Sequence, residues 1–431
     1  MTPGGRLAAA IEILADIEAR HRPAPDALKD WGLSHRFAGS KDRAAIAALV
    51  FDTLRRRASA TWIMGADTPR ARALGALRVA RGMDAEAIAA LCTGEGHAPA
   101  VLDDAERQAL EAGSLADAPA HVQGDFPEWL AGPLAAVFGD ALVAEMQAMA
   151  ERAPLDLRVN TLKASRDKAL SALAHLDAAP AALAADGLRL PLGADGRGPA
   201  LAGEPAFAKG LVEVQDEGSQ LACMLAAPKP GEQVLDLCAG GGGKTLALAA
   251  LMENRGQVYA ADADGKRLAG LFPRLEKSGA RNVQVRAPKR GVLPLEDLRE
   301  RCDLVLVDAP CTGTGTWRRN PDAKWRIRPG ALDVRIAEQD EVLAQAADYV
   351  KPGGRLVYIT CSLLAEENEA RIAAFLERYA GFAVRPAVEV AEAAGLGALA
   401  PFADPAGIGL RLSPRRTGTD GFFVATLVRS A

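Results

Sequence analysis

Histidine is scarce in this chain, with five among 431 residues, and the six cysteines form no Cys-x-x-Cys pair. Cys92, Cys223, Cys238, Cys302, Cys311 and Cys361 are scattered, which fits neither a disulfide framework nor a zinc site. No metal is expected. A signal-peptide core and a membrane-length apolar run are also lacking, since the opening stretch is broken by Glu12, Asp16 and Glu18. These absences lead us to expect a reduced, cytoplasmic protein with no membrane partner. There is no excess of one charge either. A formal net charge of -4 excludes nothing, because a local basic face can meet phosphates while the rest stays acidic.

What the chain does have is length and a change of texture. Its size exceeds one average domain. Leu7, Ile11, Leu14 and Ile17 keep a helical period, as do Ile46, Leu49, Val50 and Leu54, so residues 1–125 read as an all-α N-terminal bundle. Ser40 is the expected cap of the helix that holds the second set. The Arg55-Arg56-Arg57 run suits phosphate contact or a solvated helix end equally well. A linker rich in Pro, Gly and Ala is expected over 112–127. Residues 127–208 mix helical stretches with strand-like pieces such as Leu157 to Asn160 and Leu188 to Leu190, a small α+β connector.

From residue 209 to 431, short apolar runs alternate with amphipathic stretches. Strands are expected at 233–237, 257–261, 282–285, 303–307 and 355–359, with helices at 244–252 and 331–350. Such alternation means an α/β, Rossmann-like domain with a mostly parallel sheet. Ligands of such sheets bind at the carboxyl ends of the strands, so the chemistry should follow each apolar run.

After the first run comes Asp236-Leu237-Cys238-Ala239-Gly240-Gly241-Gly242-Gly243-Lys244-Thr245. Its glycines let the backbone turn sharply and approach a ligand at a helix N-terminus. A phosphate-binding P-loop needs glycine where Cys238 stands, and a dinucleotide fingerprint needs glycine where Thr245 stands. The remaining reading is a loop for S-adenosylmethionine. Asp262, at the end of the second run, is placed to accept hydrogen bonds from ribose hydroxyls, or to cap a helix. The fourth run leads into Asp308-Ala309-Pro310-Cys311 and the fifth into Thr360-Cys361-Ser362. A lone cysteine is usually a small buried hydrophobe. Two at the tips of neighbouring strands, roughly 5 Å apart, can reach one ligand.

This set suits methylation at carbon 5 of cytosine. A thiolate adding at carbon 6 breaks the ring's aromaticity and makes carbon 5 a nucleophile toward the methyl sulfonium. A positive neighbour such as Lys244 lowers a thiol's pKa. A carboxyl such as Asp308 can support charge building at N3. A second thiol can take the carbon 5 proton.

Val234 to Thr245, Asp308 to Cys311 with Gly313-Thr314-Gly315, Arg319 to Asp322, Thr360-Cys361-Ser362, Glu366-Glu367-Asn368, Val214 to Gln220 and Asp420 to Phe423 together resemble the Sun/RsmB family of RNA cytosine-5 methyltransferases. Arg158-Val159-Asn160-Thr161 resembles that family's connector motif, and Asp42 to Arg55 resembles its NusB-like RNA-binding domain. The resemblance implies that Cys361 is the nucleophile and that Cys311 assists proton removal or product release. Spacing does not decide between them, and in DNA cytosine-5 enzymes the cysteine after proline attacks. Cofactor contacts would fall on Cys238, Ala239, Gly240, Gly241, Gly242, Gly243, Lys244, Asp262 and Asp308. The implied substrate is RNA, small-subunit ribosomal first and transfer RNA second, bound by a monomer. A non-catalytic RNA-binding factor is the contrasting class.

Two departures from the family pattern bear on the cofactor. Gly240-Gly241 stands where the family usually has Ala-Pro, so a freer loop is expected. Ala287 stands near where the third strand usually ends in aspartate, so weaker cofactor binding, or a compensating group, is expected. RNA contacts are expected at Arg158 and Asn160. They are also expected at Arg318, Arg319, Lys324 and Arg326, whose stretch interleaves cations with two indoles as a single-stranded track would.

Overall fold

Strands that are apolar at consecutive positions have to be covered on both faces, and the larger of two sheets in this protein is built that way. The computed structural model describes residues 1–193, 196 and 198–431. The chain parts into two compact units: Met1–Arg152 with Trp317–Arg328, and Ala153–Thr316 with Pro329–Ala431.

The first unit is helical. Helices Pro3–Arg20, Ser40–Arg55 and Pro69–Arg81 bury Leu7, Ile13, Leu14, Ile46, Val50, Leu54, Leu74 and Leu77 in one core. Ser40 is the first helical residue rather than the cap; Gly39 holds that place with no side-chain bond. The expected linker is packed structure. At Gly113 an added Cβ would lie 2.8 Å from Ile63, and Val122 and Phe126 are buried. The Arg55-Arg56-Arg57 run is drawn inward: Arg55 donates to Arg318 O at 2.5 Å, Arg56 pairs with Glu151, and Arg57 lies over the Trp325 ring at 5.4 Å. The stretch Glu128–Ala150 is apolar enough by composition to cross a membrane. It is broken at Gly139, at φ +50°, and Leu130, Leu134 and Met146 are buried inside the unit.

The second unit holds both sheets. In the smaller, β1 (Leu155–Val159), β2 (Ala179–Pro180), β3 (Gly187–Leu190) and β4 (Val212–Val214) pair antiparallel in the order β2-β3-β1-β4. The larger contains β5 (Gln233–Asp236), β6 (Gln257–Ala261), β7 (Val283–Arg286), β8 (Cys302–Asp308), β9 (Val350–Thr360), β10 (Phe382–Arg385), β11 (Gly409–Leu412) and β12 (Phe422–Arg429). Its order is β10-β12-β9-β8-β5-β6-β7, with β11 beside β12. β5 to β9 run parallel, and β12 is antiparallel to β9, β10 and β11. Val234, Leu304, Leu306, Val357 and Ile359 fill one face, and Leu235, Val305, Val307, Leu356 and Tyr358 the other. This is a Rossmann-like α/β architecture with an antiparallel edge.

Candidate active site

The strands β5, β6 and β7 proceed outward, and the chain then returns to the centre with β8, so the strand order reverses between β5 and β8. In an open α/β sheet the crevice forms at the carboxyl ends flanking that reversal. The glycine loop, Asp262, Asp308 and both strand-end cysteines all follow strands here.

The loop after β5 leads into helix Gly243–Leu251 through Gly240 and Gly242 at φ +52° and +80°. A Cβ on Gly242 would stand 2.1 Å from Leu271 Cδ1, so only glycine fits. Three side chains brace the loop. Asp262 Oδ2 accepts from Gly240 N at 2.9 Å, Arg274 donates to Gly241 O at 2.5 Å, and Arg158 donates to Gly243 O at 2.8 Å. The loop is therefore not free, as Gly240-Gly241 suggested: guanidinium bonds hold its carbonyls. Asp262 is buried and also accepts from Asp264 N at 2.8 Å. Cys238 and Ala239 sit within this turn, and burial pushes the Cys238 thiol up. Asp236 is wholly enclosed; burial pushes its carboxyl up to about 7, against the opposing bond from the Thr245 hydroxyl.

Lys244 opens the helix and its Nζ lies 2.6 Å from Asp308 Oδ2, which joins the ends of β5 and β8. Burial would pull the ammonium down, but Asp308 and the thiols of Cys223 and Cys361 together raise it above its ordinary value. Lys244 thus carries its charge inside the site. It also lies 5.4 Å from the Phe422 ring. Nothing acidic follows β7, where Ala287 stands.

The two cysteines meet because β8 and β9 are parallel neighbours, with Asp308 in register with Ile359. Their sulfurs lie 3.4 Å apart, and both residues are half-buried. The Cys311 thiol is pushed well up, first by its hydrogen bond to Cys361, then by burial, then by the charges of Cys361 and Glu367. It therefore keeps its proton. Gly315 N donates to Cys361 O at 2.9 Å, and a Cβ on Gly315 would lie 2.3 Å from Gly421 O. The Gly313-Thr314-Gly315 and Asp420-Gly421 segments are thus the two walls around the Cys361 turn.

The expected RNA contacts divide. Arg158 and Asn160 are buried; Asn160 Nδ2 donates to Gly210 O at 2.9 Å and Ser278 O at 2.6 Å. Lys324 is 2% exposed and donates to Arg55 O at 2.8 Å and Asp125 O at 2.6 Å. Arg318 is buried too, and Arg319 is half-buried and engaged with a neighbour. Lys324, enclosed by the carbonyls of Arg55 and Asp125, is placed to hold this stretch to the helices rather than to meet phosphate. Only Arg326 of the six lies exposed, with Asp322 3.1 Å away. Two residues that hold the site went unread in the sequence. Arg274 looks like any solvated helical cation. Glu367 stands in Glu366-Glu367-Asn368, where nothing in the sequence separates it from its acidic neighbour.

Comparison with known proteins bears on this geometry directly. Residues 223–428 match the family model described as 16S rRNA methyltransferase RsmB/F, and residues 126–195 match the ferredoxin-like domain of RsmF/B-like methyltransferases. The probable ribosomal RNA small subunit methyltransferase B of Synechocystis is 35% identical over 314 residues, which is 72% of this chain and 68% of its own. Ribosomal RNA small subunit methyltransferase B of Sodalis glossinidius is 35% identical over 341 residues, 77% of this chain and 69% of its own. A crystal structure of a methyltransferase homologue from Pyrococcus horikoshii, 28% identical, superposes with a TM-score of 0.58 over 72% of this chain and 97% of that one. The family match takes in the glycine loop and the strands that carry both cysteines, so the chain belongs to the RsmB/F family of ribosomal RNA methyltransferases.

Proposed function

We propose that this protein methylates carbon 5 of a cytosine in small-subunit ribosomal RNA, through a covalent bond between Cys361 and carbon 6 of the base. The observation that carries this reading is the pair of thiols 3.4 Å apart at adjacent strand ends, beside the Lys244–Asp308 ion pair.

The residues present fit S-adenosylmethionine. The Gly240–Gly243 turn leads into a helix N-terminus where Gly241 N and Gly243 N are placed for the methionine carboxylate, Gly240 N being held by Asp262 and Gly242 N by Ala239 O. Asp262, closing β6, has lone pairs left for ribose hydroxyls. When bound, the cofactor supplies an electrophilic methyl group. Every other step falls to side chains of the protein.

The Cys361 sulfur, within electrostatic reach of the Lys244 ammonium, attacks as the thiolate. That thiolate adds to carbon 6, and the electron pair displaced toward N3 is met by the Lys244 ammonium, which Asp308 holds in place. Addition converts the sulfur of Cys361 into a thioether. The first and third causes holding the Cys311 proton, the hydrogen bond to Cys361 and that residue's charge, are thereby removed. Cys311 then becomes easier to ionise once the adduct exists, which is when a base for the carbon 5 proton is required. Of the expected RNA contacts Arg326 is the exposed one, paired with Asp322 and open to solvent for phosphate, with Arg328 exposed two residues on.

Denaturing gels of protein mixed with RNA and S-adenosylmethionine test the assignment. Cys361→Ala should neither methylate nor form an adduct. Cys311→Ala should accumulate a covalent protein–RNA band, since loss of a positioned base costs roughly 100-fold or more in the release step. A band from the Cys361 variant instead would reverse the roles. Bisulfite sequencing of small-subunit RNA from a deletion strain should show one cytosine losing protection; loss in transfer RNA alone would overturn the substrate.

A further inference from the structure

Glu367 lies just past β9 and has no exposed surface. Its carboxylate gathers donors from three segments. Oε1 accepts from Thr312 N at 2.7 Å and from Gln339 Nε2 at 3.0 Å. Oε2 accepts from the hydroxyls of Thr312 and Ser362. Thr312 immediately follows Cys311, and Ser362 immediately follows Cys361. Gln339 in turn donates to Pro310 O at 2.8 Å, on the other side of Cys311. Every backbone step that flanks Cys311 is thus tied, directly or through Gln339, to this one carboxylate.

We propose that Glu367 is the positioning residue of the cysteine pair: it fixes the turn bearing Cys311 to the turn bearing Cys361 and so sets the separation and orientation of the two thiols. This rests on the reading of both cysteines as the reacting pair. A buried carboxylate is costly to desolvate unless it is fully hydrogen-bonded, and here its bonds are spent on the two residues that follow the thiols. The charge has a second effect, because it raises the Cys311 thiol. Glu367 thereby helps keep the proton on Cys311 until Cys361 has reacted. It touches neither thiol and acts through Thr312 and Ser362.

Three variants separate these effects. Glu367→Gln keeps the size and removes the charge; Glu367→Asp keeps the charge but is too short to span both turns; Glu367→Ala removes both. With Glu367→Gln, iodoacetamide labelling of Cys311, followed by mass spectrometry from about pH 6 to pH 9, should shift to lower pH and run several-fold faster near neutrality. Labelling of Cys361 should stay within about twofold. With Glu367→Asp the Cys311 labelling profile should stay near wild type, while kcat falls by about 100-fold, as expected when reacting groups are misplaced by an ångström. KM for RNA and Kd for S-adenosylmethionine should be unchanged in both. An unchanged Cys311 profile in Glu367→Gln, or equal losses of kcat, KM and melting temperature in Glu367→Asp, would overturn the proposal. Because labelling uses no RNA, it reads the role of Glu367 even if the gels above were to reverse the two cysteines. Should Glu367→Ala fail to fold, the other two variants still decide.

Discussion

Asp236 is a carboxyl enclosed at the end of β5, and burial lifts it to about 7 from its ordinary value of 3.8. Between those values the folded chain holds a proton that the unfolded chain has lost. Stability from this group therefore falls as pH rises from about 4 to about 7, and is flat above. Asp236→Asn removes the cost while keeping an oxygen for the Thr245 hydroxyl. It should melt above wild type at pH 8 and match it near pH 4; a constant difference across that range in thermal scans would contradict the assignment. Legibility at this scale depended on where a residue stood. The strand-tip residues were readable, since a parallel sheet puts its chemistry at known ends. Lys324 was not: a lysine between an alanine and a tryptophan looks solvated until the carbonyls of Arg55 and Asp125 are found around it. The same blindness applied to Arg158 and Arg274, whose guanidiniums replace loop rigidity that the glycines gave away.

Elements set the tolerance of the site to change. Gly315 is pinned between Gly421 O at 2.3 Å and Cys361 O at 2.8 Å from where a Cβ would be. Both obstacles are backbone and cannot rotate away. Gly315→Ala should displace the turn after β9 and lower kcat by about 100-fold, with S-adenosylmethionine affinity measured by calorimetry within twofold of wild type. Lost cofactor binding would mean that the glycine serves the loop after β5 instead. The parallel strands β5 to β9 were legible within a residue or two at most ends, because burial on both faces leaves unbroken apolar runs separated by helical periods. The start of β9 and the strands β10, β11 and β12 were not read. They form an antiparallel edge in which no regular βαβ rhythm marks where a strand begins.

At the scale of the whole molecule, the sequence texture suggested domains in succession, whereas one compact unit is assembled from two separate stretches of chain. Trp317–Arg328 belongs to the helical unit although both its flanks belong to the other. No local pattern signals this, because it is a matter of which distant carbonyls receive which donors. Trp325 Nε1 donates to Leu54 O at 2.6 Å, and Asp322 Oδ2 accepts from Ala24 N at 3.3 Å. A chain cut down to residues 153–431 strands those groups. Limited proteolysis should cleave it first within 317–328, and it should melt below the full-length protein; equal protease resistance of that segment would count against its dependence on the helices.

That discontinuity also bears on the order in which the protein is made. Synthesis runs from the N-terminus and domains tend to fold as they emerge. The helices up to Arg152 leave the ribosome with the carbonyls of Leu54, Arg55 and Asp125 awaiting donors that lie beyond residue 316. Through the translation of more than 160 residues the nascent helical unit lacks its last segment, and its completion waits on the strand that carries Cys311 having already been made.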